Sequence, residues 1–228
     1  MCRLRERSMA SLGTRFQSMT GLLTERRLTL FWLLLIILLG AGLRFYNLGA
    51  KSFWLDETLT ATRSKQSILG LIKWIARSDV QSPFYYILVH FFMYLGESDF
   101  VIRLPSAIFG LLSIPVIYRL AKMLLGEKEG LISAFLLSIS AYHIWYSQEA
   151  RMYSLFVFLS LLSLCFLYRA VEKNDRKLWF GFTISAVLNL HTIYFAFLVL
   201  ASELIFASLV LAVSRFPNLR KVILTDLL

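Results

Sequence analysis

Two short clusters bring together side chains able to move a proton or hold an anion. The first, Phe53-Trp54-Leu55-Asp56-Glu57-Thr58, sets two carboxylates beside two aromatic rings. An ordinary aspartate has a pKa of ~3.9 and is ionised near neutrality, so such an acid suits a general base. Adjacent residues on a helix point ~100° apart. One of the pair can therefore touch a reacting atom while the other supports it. The bland alternative is that both oppose the dipole at a helix N-terminus. The second cluster, Tyr146-Ser147-Gln148-Glu149-Ala150-Arg151-Met152-Tyr153, offers Glu149 as an acid. Its Arg151 is a cation whose planar fork grips an anionic group through two hydrogen bonds. This cluster, too, reads in a bland way as a helix start with Glu149 at the positive end.

The elements that must carry these clusters are apolar. The 228 residues are 58% apolar and only 17% charged, and the mean hydropathy is +0.67. A disordered chain needs low hydrophobicity, and a disulfide scaffold needs more than Cys2 and Cys165, so both classes are excluded. The expectation is an all-α polytopic membrane helix bundle of about six spans: Leu28–Leu48, Val101–Leu120, Leu131–Tyr146, Met152–Tyr168, Leu178–Asn189 and Thr192–Val213. Pro83–Leu95 is too short to cross, reaching about 20 Å as a helix against a hydrocarbon core of ~30 Å. Its many aromatic residues suit the headgroup level. No cleavable signal peptide is expected, because the first apolar run starts only at Leu28 and is followed by Arg44-Phe45-Tyr46.

The net charge of +10 does not point to nucleic acid, since the basic residues are scattered, singly or at most in pairs, between apolar runs. They act instead as topology signals. With Pro83–Leu95 kept out of the bilayer, sixteen of the twenty-four Lys and Arg residues fall on the side of the N-terminus. The positive-inside rule then makes both termini cytoplasmic and puts Asp56 and Glu149 on the same outer side. The expected division is a basic N-terminus at 1–27, a transmembrane module at 28–214 with an outer loop at 49–100, and a cytoplasmic tail or continuation at 215–228. Within the outer loop, Ile68, Leu71, Ile72 and Ile75 recur at helical spacing. That segment and Pro83–Leu95 are expected to lie in the interface plane and roof a cleft.

Other polar residues carry weaker signals. His90, His143 and His191 are isolated, with no HExxH or Cys/His cluster, so no dedicated metal cage is expected. A divalent metal ion held by one histidine and one carboxylate is left open as a cofactor. Glu203 falls inside a span, where an ionised carboxylate costs a few kcal/mol, and is read as an interior hydrogen-bonding group. Pro105 and Pro115 read as a helix-opening proline and a kink.

The order of several motifs resembles the N-terminal half of GT-C membrane glycosyltransferases. These are Leu43-Arg44-Phe45-Tyr46-Asn47-Leu48, Trp54-Leu55-Asp56-Glu57, Ser82-Pro83-Phe84-Tyr85-Tyr86 with His90, and Phe100-Val101-Ile102-Arg103-Leu104-Pro105-Ser106. The second cluster and His191-Thr192-Ile193-Tyr194-Phe195 continue the likeness. It is strongest to the family 39-like group, which includes protein O-mannosyltransferases and aminoarabinose transferases, and runs from about Leu28 to Val213.

The resemblance implies a transferase that takes a sugar from a polyprenyl-phosphate donor, inverts its linkage, and passes it to a lipid, glycan or protein acceptor. It places the catalytic base at Asp56, with Glu57 as the second acid of the pair and Glu149 as a further acid by position. Arg151, Arg103 and Lys51 are the outer cations suited to the departing phosphate, and Tyr153 and His191 are the other candidate substrate contacts. Membrane lipids are implied partners, and the implied location is the plasma membrane with an outward-facing site. Relatives are longer, and Val222-Ile223-Leu224 begins a new apolar stretch near the end, so the expectation is a piece of a longer protein. Two rival readings stand beside this one: a transporter or flippase of lipid-linked sugars, and a non-catalytic membrane subunit.

Overall fold

A computed structural model describes residues 25–77 and 83–215. The basic segment up to Thr24, the neighbourhood of Ser82 and the stretch after Arg215 lie outside the described residues, as does Cys2. The described residues form ten α-helices and no strand. They are α1 (Glu25–Phe45), α2 (Leu55–Ser64), α3 (Ile68–Arg77), α4 (Pro83–Phe92), α5 (Asp99–Leu124), α6 (Glu127–Ile139), α7 (Ala141–Ser147), α8 (Tyr153–Lys173), α9 (Arg176–Leu190) and α10 (Ala196–Arg215). A 3-10 turn, Met93–Leu95, closes α4.

Helices α1, α5 and α8 are each long and apolar enough to cross a membrane. Their side chains are apolar nearly all round, which is how a helix reads when lipid replaces water as its solvent. In that medium helix association rests on close packing and polar contacts rather than on escape from water. Helix α5 is the hub, packing against α4, α6, α7 and α8, while α8 also carries α9 and α10. Small residues permit the approach. A Cβ added at Gly40 would overlap Ile114, and one added at Gly110 would run into the Ser147 side chain.

Three details depart from the sequence expectation. The run Leu131–Tyr146 is not one span, because the chain breaks at Ser140 between α6 and α7. Ser140 takes an extended conformation, φ −61° and ψ 114°, and its hydroxyl accepts from the His143 amide as an N-cap. Pro105 does not open its helix; Ser98 caps α5 earlier, so Pro105 is the seventh residue. The segment 49–100 holds a further helix, α2, besides the two expected, and α2 carries the first acidic cluster.

Helices α2, α3 and α4 are bound into one unit. The Arg63 guanidinium lies 4.6 Å from the Trp74 ring, stacks near Tyr86, and donates to the Tyr86 hydroxyl at 3.2 Å. His90 Nδ1 bonds to the Ser64 carbonyl at 2.8 Å. Leu71 of α3 is fully buried, and Tyr85 and Val89 of α4 join Ile102, Met152 and Leu155 in one core beneath the unit. The unit therefore sits on the α5–α8 end of the bundle, where the two clusters meet.

Candidate active site

Helix α2 starts at Leu55 with no side-chain cap, so its first amides are uncapped and the dipole is met by Asp56 and Glu57. The two carboxylates diverge as helical geometry requires. Glu57 turns inward and is 2% exposed, while Asp56 stays 35% exposed.

Glu57 is held on three sides. Arg103 Nε donates to its Oε1 and Arg103 Nη2 to its Oε2, both at 2.8 Å, and the Ala150 amide donates to Oε1 at 2.8 Å. Arg103 spends its remaining donors on carbonyls of the segment after α1: Nη1 reaches Leu48 at 3.0 Å and Lys51 at 2.8 Å. The Phe53 ring covers the guanidinium at 4.9 Å. One buried ion pair thus joins α2, α5, the 48–52 segment and the loop before α8. Such a pair is strongly destabilised when one partner is removed, because a charge is left buried alone.

Asp56 has a different setting. Its Oδ2 lies 3.2 Å from Arg151 Nη1. Arg151 in turn donates to the Tyr153 hydroxyl at 3.5 Å. Burial works to lower the Arg151 pKa, but Tyr153 and Asp56 outweigh it and hold the guanidinium cationic. Ser106 of α5 donates to the Arg151 carbonyl at 2.8 Å. Since its single proton is used there, Ser106 accepts from the Tyr85 hydroxyl at 2.7 Å. Sequence reading assigned no role to Ser106, and Tyr85 entered only as part of a motif; no spacing signal ties them to Arg151.

A cleft of about 630 Å³ opens beside these pairs, with Lys51, Glu57, Arg103, Glu149 and Tyr153 on its walls. Tyr46, Trp54 and Trp145 give it flat aromatic sides. Glu149 accepts from Trp145 Nε1. Partial burial raises its pKa above the usual carboxylate value, and the Trp145 bond offsets only part of that. The Lys51 ammonium stands 5.5 Å from the Trp145 ring. Asp56 and Arg151 do not line this cleft. They flank it through their neighbours Glu57 and Tyr153.

His191 is not among the residues that line the cleft. Its side chain is exposed outside the cleft lining, bonded through Nδ1 to the Val187 carbonyl at 3.0 Å, and its own carbonyl accepts from the Phe84 amide. It ends α9 and steadies the start of α4. Arg103, expected as a cation for the departing phosphate, has all its nitrogens engaged by Glu57 and the carbonyls of the 48–52 segment. Among the described residues no three His, Cys, Asp or Glu side chains are grouped to hold a metal ion.

The family model described as dolichyl-phosphate-mannose-protein mannosyltransferase matches residues 80–225, well over half of the chain. The protein belongs to this family, a class of membrane glycosyltransferases of the GT-C type. No curated protein and no solved structure matches it. The matched residues include Arg103, Glu149, Arg151, Tyr153 and His191; Lys51, Asp56 and Glu57 precede them.

Proposed function

We propose that this protein transfers a sugar from a polyprenyl-phosphate donor to an acceptor hydroxyl at the outer face of the plasma membrane. The observation that carries the reading is the unequal fate of two neighbouring acids. Glu57 is buried and saturated by Arg103 and Ala150, whereas Asp56 is partly exposed and touches one cation, Arg151. Asp56 is then the base and Glu57 its scaffold.

In the proposed reaction the acceptor oxygen attacks the anomeric carbon as its proton passes to Asp56. The bond from that carbon to the phosphate oxygen breaks, and the polyprenyl phosphate leaves with the bonding pair. A single displacement of this kind inverts the anomeric centre. Arg151 is within reach of both events: the arriving phosphate competes with Asp56 for its guanidinium, which frees the carboxylate as the donor seats. Lys51, on the cleft wall and exposed, adds a second cation. Glu149 and Tyr153, also on the cleft wall, contact the sugar or acceptor, and the polyprenyl chain lies among the lipid-facing helices.

The test is turnover by the full-length protein in nanodiscs with polyprenyl-phosphate sugars. Asp56→Asn should keep saturable donor binding and lose turnover by at least ~10²-fold, the usual worth of a general base. Arg151→Ala should lose donor binding. Turnover retained in Asp56→Asn would overturn the assignment.

A further inference from the structure

The break at Ser140 leaves the last carbonyls of α6 without helical partners, and these ends must be satisfied from elsewhere. Arg44, near the end of α1, does so. Its Nη1 donates to Ser138 at 3.1 Å and to Gly40 in its own helix at 3.0 Å. Its Nη2 donates to Leu137 at 3.0 Å and to His143 Nδ1 at 2.8 Å. The side chain is 0% exposed, and no acid pairs with it among the described residues. Its counter-charge is the negative end of the α6 dipole.

The slot is shaped for it. A Cβ at Gly40 would stand 3.2 Å from Arg44 Nη1, and one at Gly110 would stand 3.4 Å from Nε. The connection is returned from the other side. Gln148, just past α7, donates its amide to the carbonyls of Leu43 at 3.0 Å, Arg44 at 3.4 Å and Tyr46 at 3.0 Å, which end α1. Each helix end is thus closed by a side chain from the other segment. Gln148 is followed directly by Glu149.

We propose that Arg44 and Gln148 are positioning residues that together fix Glu149 and Trp145 on the cleft wall, a role that rests on reading the cleft as the reaction site. The guanidinium sets where α7 begins and the amide sets where it ends, so the carboxylate between Gln148 and Ala150 has one place to stand. Lysine cannot replace the arginine, because a point charge lacks the fork that spans Ser138, Leu137 and His143 at once.

The experiment reads Glu149 without any need for activity. The full chain is labelled with fluorotryptophan in micelles, and the Trp145 resonance is assigned by its loss in Trp145→Phe. Its pH titration reports the carboxylate it bonds, as Glu149→Gln confirms by abolishing it. Glu57, Arg103 and Arg151 also act on Glu149, and the Lys51 ammonium faces the Trp145 ring; all four remain in place throughout. In the wild type the midpoint should lie above the usual carboxylate value. Arg44→Lys, Arg44→Met and Gln148→Ala should each return it toward that value while the other tryptophan resonances stay put. An unchanged midpoint in folded Gln148→Ala would overturn the proposal even if the Arg44 variants fail to fold. So would an equal shift in Leu159→Ala, a cavity in the α8 core away from the connection, since the effect would then be general loosening. Loss of the catalytic reading through an active Asp56→Asn variant would leave these outcomes untouched.

Discussion

Glu57 and Arg103 hold each other through both carboxylate oxygens, 46 residues apart in sequence, and the pair is nearly closed to solvent. An acid that already accepts two guanidinium bonds and a backbone amide has little capacity left for an acceptor hydroxyl. Substitution should therefore separate its role from that of its neighbour.

Glu57→Ala should destabilise the fold by roughly 3–5 kcal/mol, the typical loss when one half of a buried pair is removed. A thermal melt in detergent measures it. Adding Arg103→Met to Glu57→Ala should restore part of the loss by removing the stranded charge. A Glu57→Ala melt indistinguishable from wild type would contradict the saturated geometry.

Asp56→Asn should change stability by less than about 1 kcal/mol, because a partly exposed ion pair contributes little. The contrast between two adjacent acids, one governing stability and one governing turnover, is the signature to look for. Equal destabilisation by both substitutions would erase the distinction.

Ser106→Ala should leave the Tyr85 hydroxyl and the Arg151 carbonyl unmatched in a buried place, at a cost of about 1–3 kcal/mol. Since the lost bond ends on Arg151, donor KM should rise more than kcat falls. An unaltered KM would show that the serine steadies the core without aiming the arginine.

Burial raises the Glu149 pKa, so the fold favours its neutral form. The sign follows: this group's contribution to stability is fully present below the unfolded-state pKa and is lost as pH rises through the folded-state value. Glu149→Gln keeps a neutral group at all pH. Its melting point should match wild type in acid and exceed it near neutrality. The opposite ordering would mean that the carboxylate is stabilised as an anion.

How much of this was legible in the sequence differs from residue to residue. The long helices follow the apolar runs because uniform hydropathy reports the surrounding solvent directly. The divergence of Asp56 and Glu57 followed from helical period alone. What the period could not show is which acid faces inward, because that depends on Arg103 arriving from α5. The break at Ser140 was hidden for the same kind of reason: Leu131–Tyr146 carries no charged Asp, Glu, Lys or Arg and no Gly or Pro to mark a stop, and its interruption is made tolerable by Arg44 from α1. His191 belonged to a motif whose order suggested a substrate contact, but motif order does not show that the residue ends α9 and bonds back to the Val187 carbonyl, outside the cleft lining.

The break at Ser140 also bears on the lipid around the protein. Helix α6 has thirteen residues and rises only about 20 Å, against a hydrocarbon core of ~30 Å. A bilayer is expected to thin to meet a helix this short. The bilayer beside α6 and α7 would then be dimpled at the cleft end, bringing water down toward Trp145 and Glu149. A headgroup tethered to a long apolar tail and a hydroxyl arriving from solution could meet at the floor of that dimple, each still surrounded by the medium in which it dissolves.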